Sequence, residues 1–312
     1  NCETQVQKVV TQVADDNITT PHAGQDWRLC SNFVEDFSVT TNGLGTPKKA
    51  LEAARAAVDG INHYPPANFE PHLSHLAKFL WRDAADEHKS RLQLGNGASE
   101  LIDLVIRSCA QVGKWKPGPS IAQYEEYRRS AETAGFTRTD AADTTATLLC
   151  MVNPTNPTGE YLGVEALKRH IEDGCRPGST VLVDESMQLW FGPGWREDSL
   201  TSQGEWMRRM SAERGIDVFV LHSWTKIWAC TGARLGSVIA PTHAHAVRIR
   251  AHQVPWSVNV MALAFLSAAV TDEEYLEETW RRTPLWRARM VRDLAKLFPH
   301  WQVKGREFLS WI

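Results

Sequence analysis

Three short apolar runs in the middle of the chain each stop on a polar residue. Thr147-Leu148-Leu149-Cys150-Met151-Val152 runs into Asn153-Pro154, Thr180-Val181-Leu182-Val183 into Asp184, and Val218-Phe219-Val220-Leu221 into His222-Ser223. Apolar runs of this length without alternation read as strands buried on both faces. Leu235 to Ala240 reads as another strand, and helical patterns such as Val164–Asp173 lie between the runs. Strands alternating with helices predict an α/β fold. Ligands of such sheets sit beyond the carboxyl ends of the strands. Asn153, Asp184 and Ser223 are therefore expected to lie near one another.

The flanking regions read differently. Thr46-Pro47 opens a helical pattern through Leu51, Ala54 and Val58 that ends near Gly60. A polar, proline-bearing loop follows over Asn62–Pro71, then a helix over Leu73–Trp81. Gly95-Asn96-Gly97-Ala98-Ser99 reads as a glycine-rich turn into a buried helix through Ile106. Val254–Val270 and Asp272–Leu297 carry long helical patterns, the second amphipathic and rich in arginine, and Phe308–Ile312 reads as the start of a strand. The first 30 residues are polar and then irregular.

Composition narrows the classes. With 312 residues, 43% hydrophobic and 23% charged, the chain reads as globular and not as disordered, collagenous or coiled-coil. A net charge of −3 argues against a generally basic nucleic-acid binder. No apolar run approaches the roughly 18–20 residues that would span a bilayer. The 6 cysteines form no CxxC pair, which disfavours a zinc ribbon and suits the cytoplasm or another reducing compartment. The chain starts at Asn1, without methionine or an apolar leader, so it reads as trimmed or processed, and organellar targeting stays open.

The chemistry concentrates in five segments. In Ser223-Trp224-Thr225-Lys226, a lysine follows a strand beside two hydroxyls, and Arg234 lies between two glycines eight residues on. A lysine amine becomes a nucleophile when burial or a cationic neighbour lowers its pKa. Hydroxyls, arginine and glycine backbone suit a phosphate, and the combination suits pyridoxal phosphate held by the lysine. Alone, Lys226 would read as a surface lysine. Gly95–Glu100 offers a tight turn and a helix start to an anion, or an ordinary serine-capped helix. Asp184 could pair with a pyridinium N–H, or cap the next turn. Asn153-Pro154-Thr155-Asn156-Pro157-Thr158-Gly159 places an asparagine amide where it could reach a phenolate oxygen, or is a plain loop. Tyr124 could stack on a flat heterocycle, or pack in the core.

In this order the segments resemble the fold type I pyridoxal-phosphate enzymes, the aspartate aminotransferase superfamily. Asp36-Phe37-Ser38, Asn42-Gly43-Leu44-Gly45, Asn62-His63-Tyr64-Pro65 and Pro255-Trp256-Ser257-Val258-Asn259 resemble the branch of histidinol-phosphate aminotransferase and threonine-phosphate decarboxylase. The resemblance runs from about residue 32 to the end. It implies a three-layer α/β/α large domain with a mostly parallel sheet over 41–257. It also implies a smaller α+β domain from 1–40 and 258–312, incomplete at its C-terminus. Lys226 would form the Schiff base and carry the proton at the substrate α-carbon. Asp184 would pair with the ring nitrogen, Asn156 with the phenolic oxygen, and Tyr124 would stack on the ring. Ala98, Ser99, Ser223, Thr225 and Arg234 would hold the phosphate, and Tyr64 would reach the phosphate of a neighbouring subunit in a homodimer.

Two departures stand out. Met187 occupies the place where many relatives carry a tyrosine that touches the phenolic oxygen, and no residue here matches the C-terminal arginine that grips the substrate carboxylate. The reading is an aminotransferase acting on an L-amino acid or amino-phosphate. A decarboxylase of the threonine-phosphate type is the alternative, and a non-catalytic ligand sensor another. No metal is expected: His243, His245 and His252 lie in a basic helical stretch and read as solvated or core residues with no acidic partner nearby.

Overall fold

The computed structural model describes residues 32, 34, 36–109 and 111–312, and Thr41–Ile312 forms one compact unit. The polar N-terminal stretch, with Cys2 and Cys30, lies outside the described residues. Helices α1 (Lys48–Ala56) and α2 (His72–Trp81) precede strand β1 (Leu92–Asn96) and helix α3 (Ala98–Arg107). Strand β2 (Lys114–Gly118), helix α4 (Glu126–Thr133), strand β3 (Thr137–Arg138) and strand β4 (Leu148–Val152) follow. Then come α5 (Val164–Gly174), β5 (Thr180–Asp184), α6 (Gly204–Arg214), β6 (Asp217–Ser223) and β7 (Leu235–Ile239). The chain closes with α7 (His243–His252), α8 (Val260–Ala269) and α9 (Glu273–Leu297).

The seven strands make one sheet in the order β1-β7-β6-β5-β4-β2-β3. All pairings are parallel except the two made by β7, which runs antiparallel to β1 and β6. Because β7 alone is reversed, its first two residues meet the last residues of β1 and β6 at one edge: Leu235 faces Asn96, and Gly236 faces Ser223. Asp184 ends β5 at that same edge, and its carbonyl accepts from Asn153 N–H (2.9 Å). The expected convergence of Asn153, Asp184 and Ser223 is what the sheet register produces.

Both faces of the sheet are covered, as the unbroken apolar runs require. Leu149, Met151, Val181, Val183, Val218 and Val220 pack into one buried cluster with α2, α5 and α6. Leu148, Cys150, Val152, Leu182, Phe219 and Leu221 pack into another with α3 and α4. Successive side chains point to opposite faces, so each strand feeds both clusters. Burying one such Leu or Val side chain contributes roughly 1.5–3 kcal/mol. Cys109, Cys150, Cys175 and Cys230 are free thiols. Among the described residues no helix is long and apolar enough to cross a membrane.

Several sequence expectations need correction. Gly95 and Asn96 end strand β1 instead of belonging to the turn. The Val254–Val270 pattern is helical only from Val260. Pro255 lacks the N–H a helix needs, Trp256 sits at φ +56°, and the Asn259 side chain caps α8 by accepting from Ala262 N–H (2.8 Å). Phe308–Ile312 is not a strand. Leu309 is buried there, the Trp311 indole donates to the Pro157 carbonyl (2.9 Å), and Gly305 packs against Gly159, so the segment is held by side chains instead of a ladder. His245 does have an acidic partner: Asp217, at the start of β6, lies 2.9 Å from its Nε2.

Candidate active site

Lys226 lies in a single helical turn, Trp224–Ile227, directly after β6. Asn42 clamps that turn. Its backbone N–H donates to the Lys226 carbonyl (3.0 Å), and its side-chain amide donates to the Ile227 carbonyl (3.0 Å) and to Thr279 Oγ1 on α9 (2.7 Å). The ammonium itself is loosely held, with Thr225 Oγ1 at 3.5 Å. Burial lowers its pKa and Arg234 lowers it further, while Asp184 acts in the opposite sense. More of the amine is therefore neutral and nucleophilic than for a solvated lysine.

Asp184 is buried at the end of β5. Its Oδ2 accepts from the Tyr127 hydroxyl (2.8 Å) and its Oδ1 from Ser186 N–H (2.8 Å). Burial raises its pKa, against the opposing pull of Ser186, Tyr127 and the Lys226 charge. Both hydrogen-bond donors are neutral, so the carboxylate still gains from a cationic N–H placed in the cleft.

The anion-binding side is built where β1 and β7 press together. Gly97 has φ +82°, and a Cβ there would collide with the Arg234 guanidinium; a Cβ on Gly236 would lie 2.7 Å from Ala98 N. Glycine is required at Gly236 by the close approach of backbone, and at Gly97 by its positive φ. Helix α3 starts without a side-chain cap, so its first N–H groups can meet an anion. Arg234 follows in left-handed conformation (φ +58°) with Nη1 on the Thr231 carbonyl (3.0 Å), and the Ser223 and Thr225 hydroxyls lie 2.9 Å apart.

One cleft gathers nearly every expected residue. Ala98, Ser99, Tyr124, Asn156, Asp184, Ser223, Thr225, Lys226 and Arg234 all line it, together with Val152, Ser186 and Met187. The Tyr124 hydroxyl pairs with Ser99, and burial raises its pKa. Of the loop asparagines, Asn153 is committed to Leu162 through two bonds of 2.8 Å, which leaves Asn156 as the asparagine on the cleft. Tyr64 does not line it. It is 77% exposed and stacks on Trp256 at 4.4 Å. Sequence reasoning missed Tyr127 and Ser186, which orient Asp184, and passed over the clamping role of Asn42. The repeat Tyr124-x-x-Tyr127 was a usable signal, since it offers a second phenol three residues beyond the first, at the start of α4. Among the described residues no cluster of three His, Cys, Asp or Glu side chains could hold a metal. A wider cleft of about 670 Å³ between α2 and the start of α9 contains none of these residues.

A lysine with a lowered pKa, a buried carboxylate and an arginine–hydroxyl–helix cradle at one edge of a mostly parallel sheet define a pyridoxal-phosphate enzyme of fold type I. Residues 28–311 match the family described as aminotransferase class I and II. The chain belongs to that family and is a pyridoxal-phosphate-dependent aminotransferase. It is similar to histidinol-phosphate aminotransferase 2 of Ralstonia nicotianae, with 28% identity over 274 residues, 82% of this chain and 68% of the relative. It is also similar to threonine-phosphate decarboxylase of Salmonella typhimurium, with 29% identity over 281 residues, 84% of this chain and 71% of the relative. Its fold matches histidinol-phosphate aminotransferase from Sinorhizobium meliloti, solved in complex with pyridoxal-5'-phosphate, at TM-score 0.70 and 18% identity, covering 90% of this chain and 79% of that one.

The residues present fit the cofactor. The cradle suits its phosphate, the Asp184 carboxylate its ring N–H, and the Lys226 amine its aldehyde. The apolar wall of Val152 and Met187 suits the ring between them.

Proposed function

We propose that this aminotransferase acts on a phosphorylated amino compound and that Lys226 is its proton carrier. The observation that carries the role of Lys226 is its amine, buried beside Arg234 and Asp184, with a lowered pKa and, among the described residues, one long hydrogen bond. The phosphorylated substrate rests on the names of the relatives, histidinol-phosphate aminotransferase and threonine-phosphate decarboxylase.

When bound, pyridoxal phosphate supplies an aldehyde for amine exchange and a protonated ring that withdraws electrons from the substrate α-carbon. The chain's own residues do the rest. Asp184 would favour the protonated ring nitrogen, and its two donors favour the charged form of the carboxylate against the effect of burial. Lys226 would hold the proton removed at the substrate α-carbon and return it at the cofactor's aldehyde carbon, on the far side of the amine nitrogen. Asn156 would donate to the phenolic oxygen, and Tyr124 would pack against the ring. Ala98 and Ser99 N–H, Ser223, Thr225 and Arg234 hold the phosphate and so fix where Lys226 acts. Met187 offers no donor, which leaves Asn156 to orient the phenolic oxygen.

The active unit in this reading is a homodimer. Tyr64 and Trp256 form an exposed aromatic pair, with Ile61 and Val254 also exposed nearby in sequence. Such a patch suits a second copy whose phosphate site Tyr64 completes. Sedimentation analysis of wild type and Tyr64→Ala tests this: a monomeric wild type with full activity overturns the shared site.

The function is tested by recording the visible band of lysine-bound cofactor while amino donors are added without keto acid. Bleaching to the amine form by L-histidinol phosphate, and not by unphosphorylated histidinol, is the expected result. Release of CO2 from a phosphorylated amino acid with no bleaching overturns it in favour of decarboxylation.

A further inference from the structure

The turn that meets the phosphate is shaped from outside the cleft. Gly97 N–H folds back onto the Gly95 carbonyl (2.8 Å), and Asn96 N–H is taken by Glu100 Oε2 (2.6 Å). Glu100 is the third residue of α3, so its side chain reaches back over the helix start as a capping carboxylate does. With Asn96 and Gly97 N–H engaged in this way, the N–H groups that meet an anion at the helix start begin with Ala98 and Ser99. The approach is close: a Cβ on Gly95 would lie 2.9 Å from that carboxylate oxygen.

Glu100 is held in turn by a residue far along the chain. Gln253, the residue just after α7, donates through Nε2 to Glu100 Oε2 (3.1 Å) and to the Leu94 carbonyl (2.9 Å). Its Oε1 accepts from Gln93 Nε2 (2.6 Å), and Gln93 is buried. One amide therefore ties edge strand β1, the carboxylate behind the turn and the end of α7. The next residues, Val254-Pro255-Trp256, carry the ring that stacks on Tyr64.

We infer that Glu100 and Gln253 are positioning residues for the cofactor phosphate: Glu100 sets the Asn96–Gly97 turn so that the Ala98 and Ser99 N–H groups converge, and Gln253 locks Glu100. This rests on the reading that the turn seats the phosphate. Glu100 cannot itself contact the phosphate favourably, since both are anions. Its effect comes only through the backbone it holds.

That reasoning predicts a signature that a general structural role lacks. Glu100→Ala should weaken pyridoxal phosphate binding about tenfold, the loss of one charge-assisted hydrogen bond. It should leave the affinity for pyridoxal, which has no phosphate, unchanged. Glu100→Gln keeps an acceptor for Asn96 N–H and should recover most of the loss. Gln253→Leu should produce a smaller loss with the same preference. The measurement is equilibrium binding of each compound to cofactor-free protein by quenching of tryptophan fluorescence, beside the melting temperature of the cofactor-free protein. Equal weakening of both compounds, or a melting temperature that falls in step with affinity, overturns the positioning role. So does unchanged affinity for pyridoxal phosphate in Glu100→Ala. If wild type itself binds pyridoxal and pyridoxal phosphate equally well, the phosphate seat is what fails, and the inference falls with it.

Discussion

Asp184 and Glu185 are consecutive carboxylates at the end of one strand, yet the fold uses them in opposite ways. Asp184 points into the cleft, where two neutral donors hold it and Lys226 is near enough to oppose its raised pKa. Glu185 points to the other face and is sealed in. It accepts from the hydroxyl of Ser199, from Leu200 N–H (2.7 Å) and from Thr201 Oγ1 (3.1 Å), and burial pushes its pKa up to about 7. Burial alone does not mark a functional group. The difference is access: Asp184 can receive a cationic partner, while Glu185 has its donors built in.

The comparison can be broken most sharply at Lys226. On the proposed roles, Lys226→Ala removes the nucleophile and the proton carrier together, and kcat should fall by at least about 10³-fold. The visible band of lysine-bound cofactor should vanish as well. A variant that keeps the band would show that another amine holds the cofactor. Asp184→Asn keeps the shape and removes the charge, and its kcat should drop by about 10²–10³, the scale for losing one preorganised electrostatic contact. Glu185→Gln should change kcat by only a few fold. If the two variants fall equally, the division between open and sealed carboxylate fails. Tyr127→Phe takes one donor from Asp184. A hydrogen bond to a charged group is worth about 1.5–3 kcal/mol, so kcat should drop by about tenfold or somewhat more. The pH at which activity rises should move upward, because Asp184 loses a contact that favours its charged form.

How much of this was legible depends on where the information lies. Strands β4, β5 and β6 announce themselves because they are buried on both faces and must be apolar throughout. Strands β1 and β2 do not: Leu-Gln-Leu-Gly-Asn and Lys-Trp-Lys-Pro-Gly carry glycine, proline and charge, against ordinary strand preference. Lys116 is tolerated in β2 because its ammonium reaches the Asp143 and Gly174 carbonyls, both at 2.9 Å. At the site, residues adjacent to strand ends were readable, since strand ends imply the cleft. The Tyr127–Asp184 bond joins residues 57 apart, and only the packing of α4 on the sheet brings them together. The Glu100–Gln253 contact, 153 residues apart, was hidden for the same reason.

The smallest catalytic effect, and the finest test of the comparison, lies in the sealed network. Thr201 has one hydroxyl proton and donates it to Glu185, so it must accept from His222 Nε2–H (3.1 Å). His222 is then a neutral imidazole, stacked on Trp224 at 4.8 Å, whose buried Nδ1 has no hydrogen-bond partner among the described residues. Burial pushes its pKa down to about 3. Being neutral, it forms no ion pair with Glu185, 3.9 Å away. The two groups act on stability with opposite sign. Glu185 titrates higher in the folded state than its ordinary 4.5, so the stability it contributes is full below pH 4.5 and is lost as pH rises toward about 7. His222 titrates lower than its ordinary 6.5, so its contribution is present above pH 6.5 and is lost as pH falls toward about 3. Between 4.5 and 6.5 the slopes oppose, each at most about 1.4 kcal/mol per pH unit, and this network leaves wild-type stability nearly flat there. Glu185→Gln should unmask a stability that rises with pH across that window, and His222→Gln one that falls. Urea unfolding at half-unit pH steps measures both slopes. Two variants with the same sign of slope would mean that Glu185 and His222 exchange a proton as a coupled pair, and the sealed carboxylate would then be a proton store and not a fixed strut.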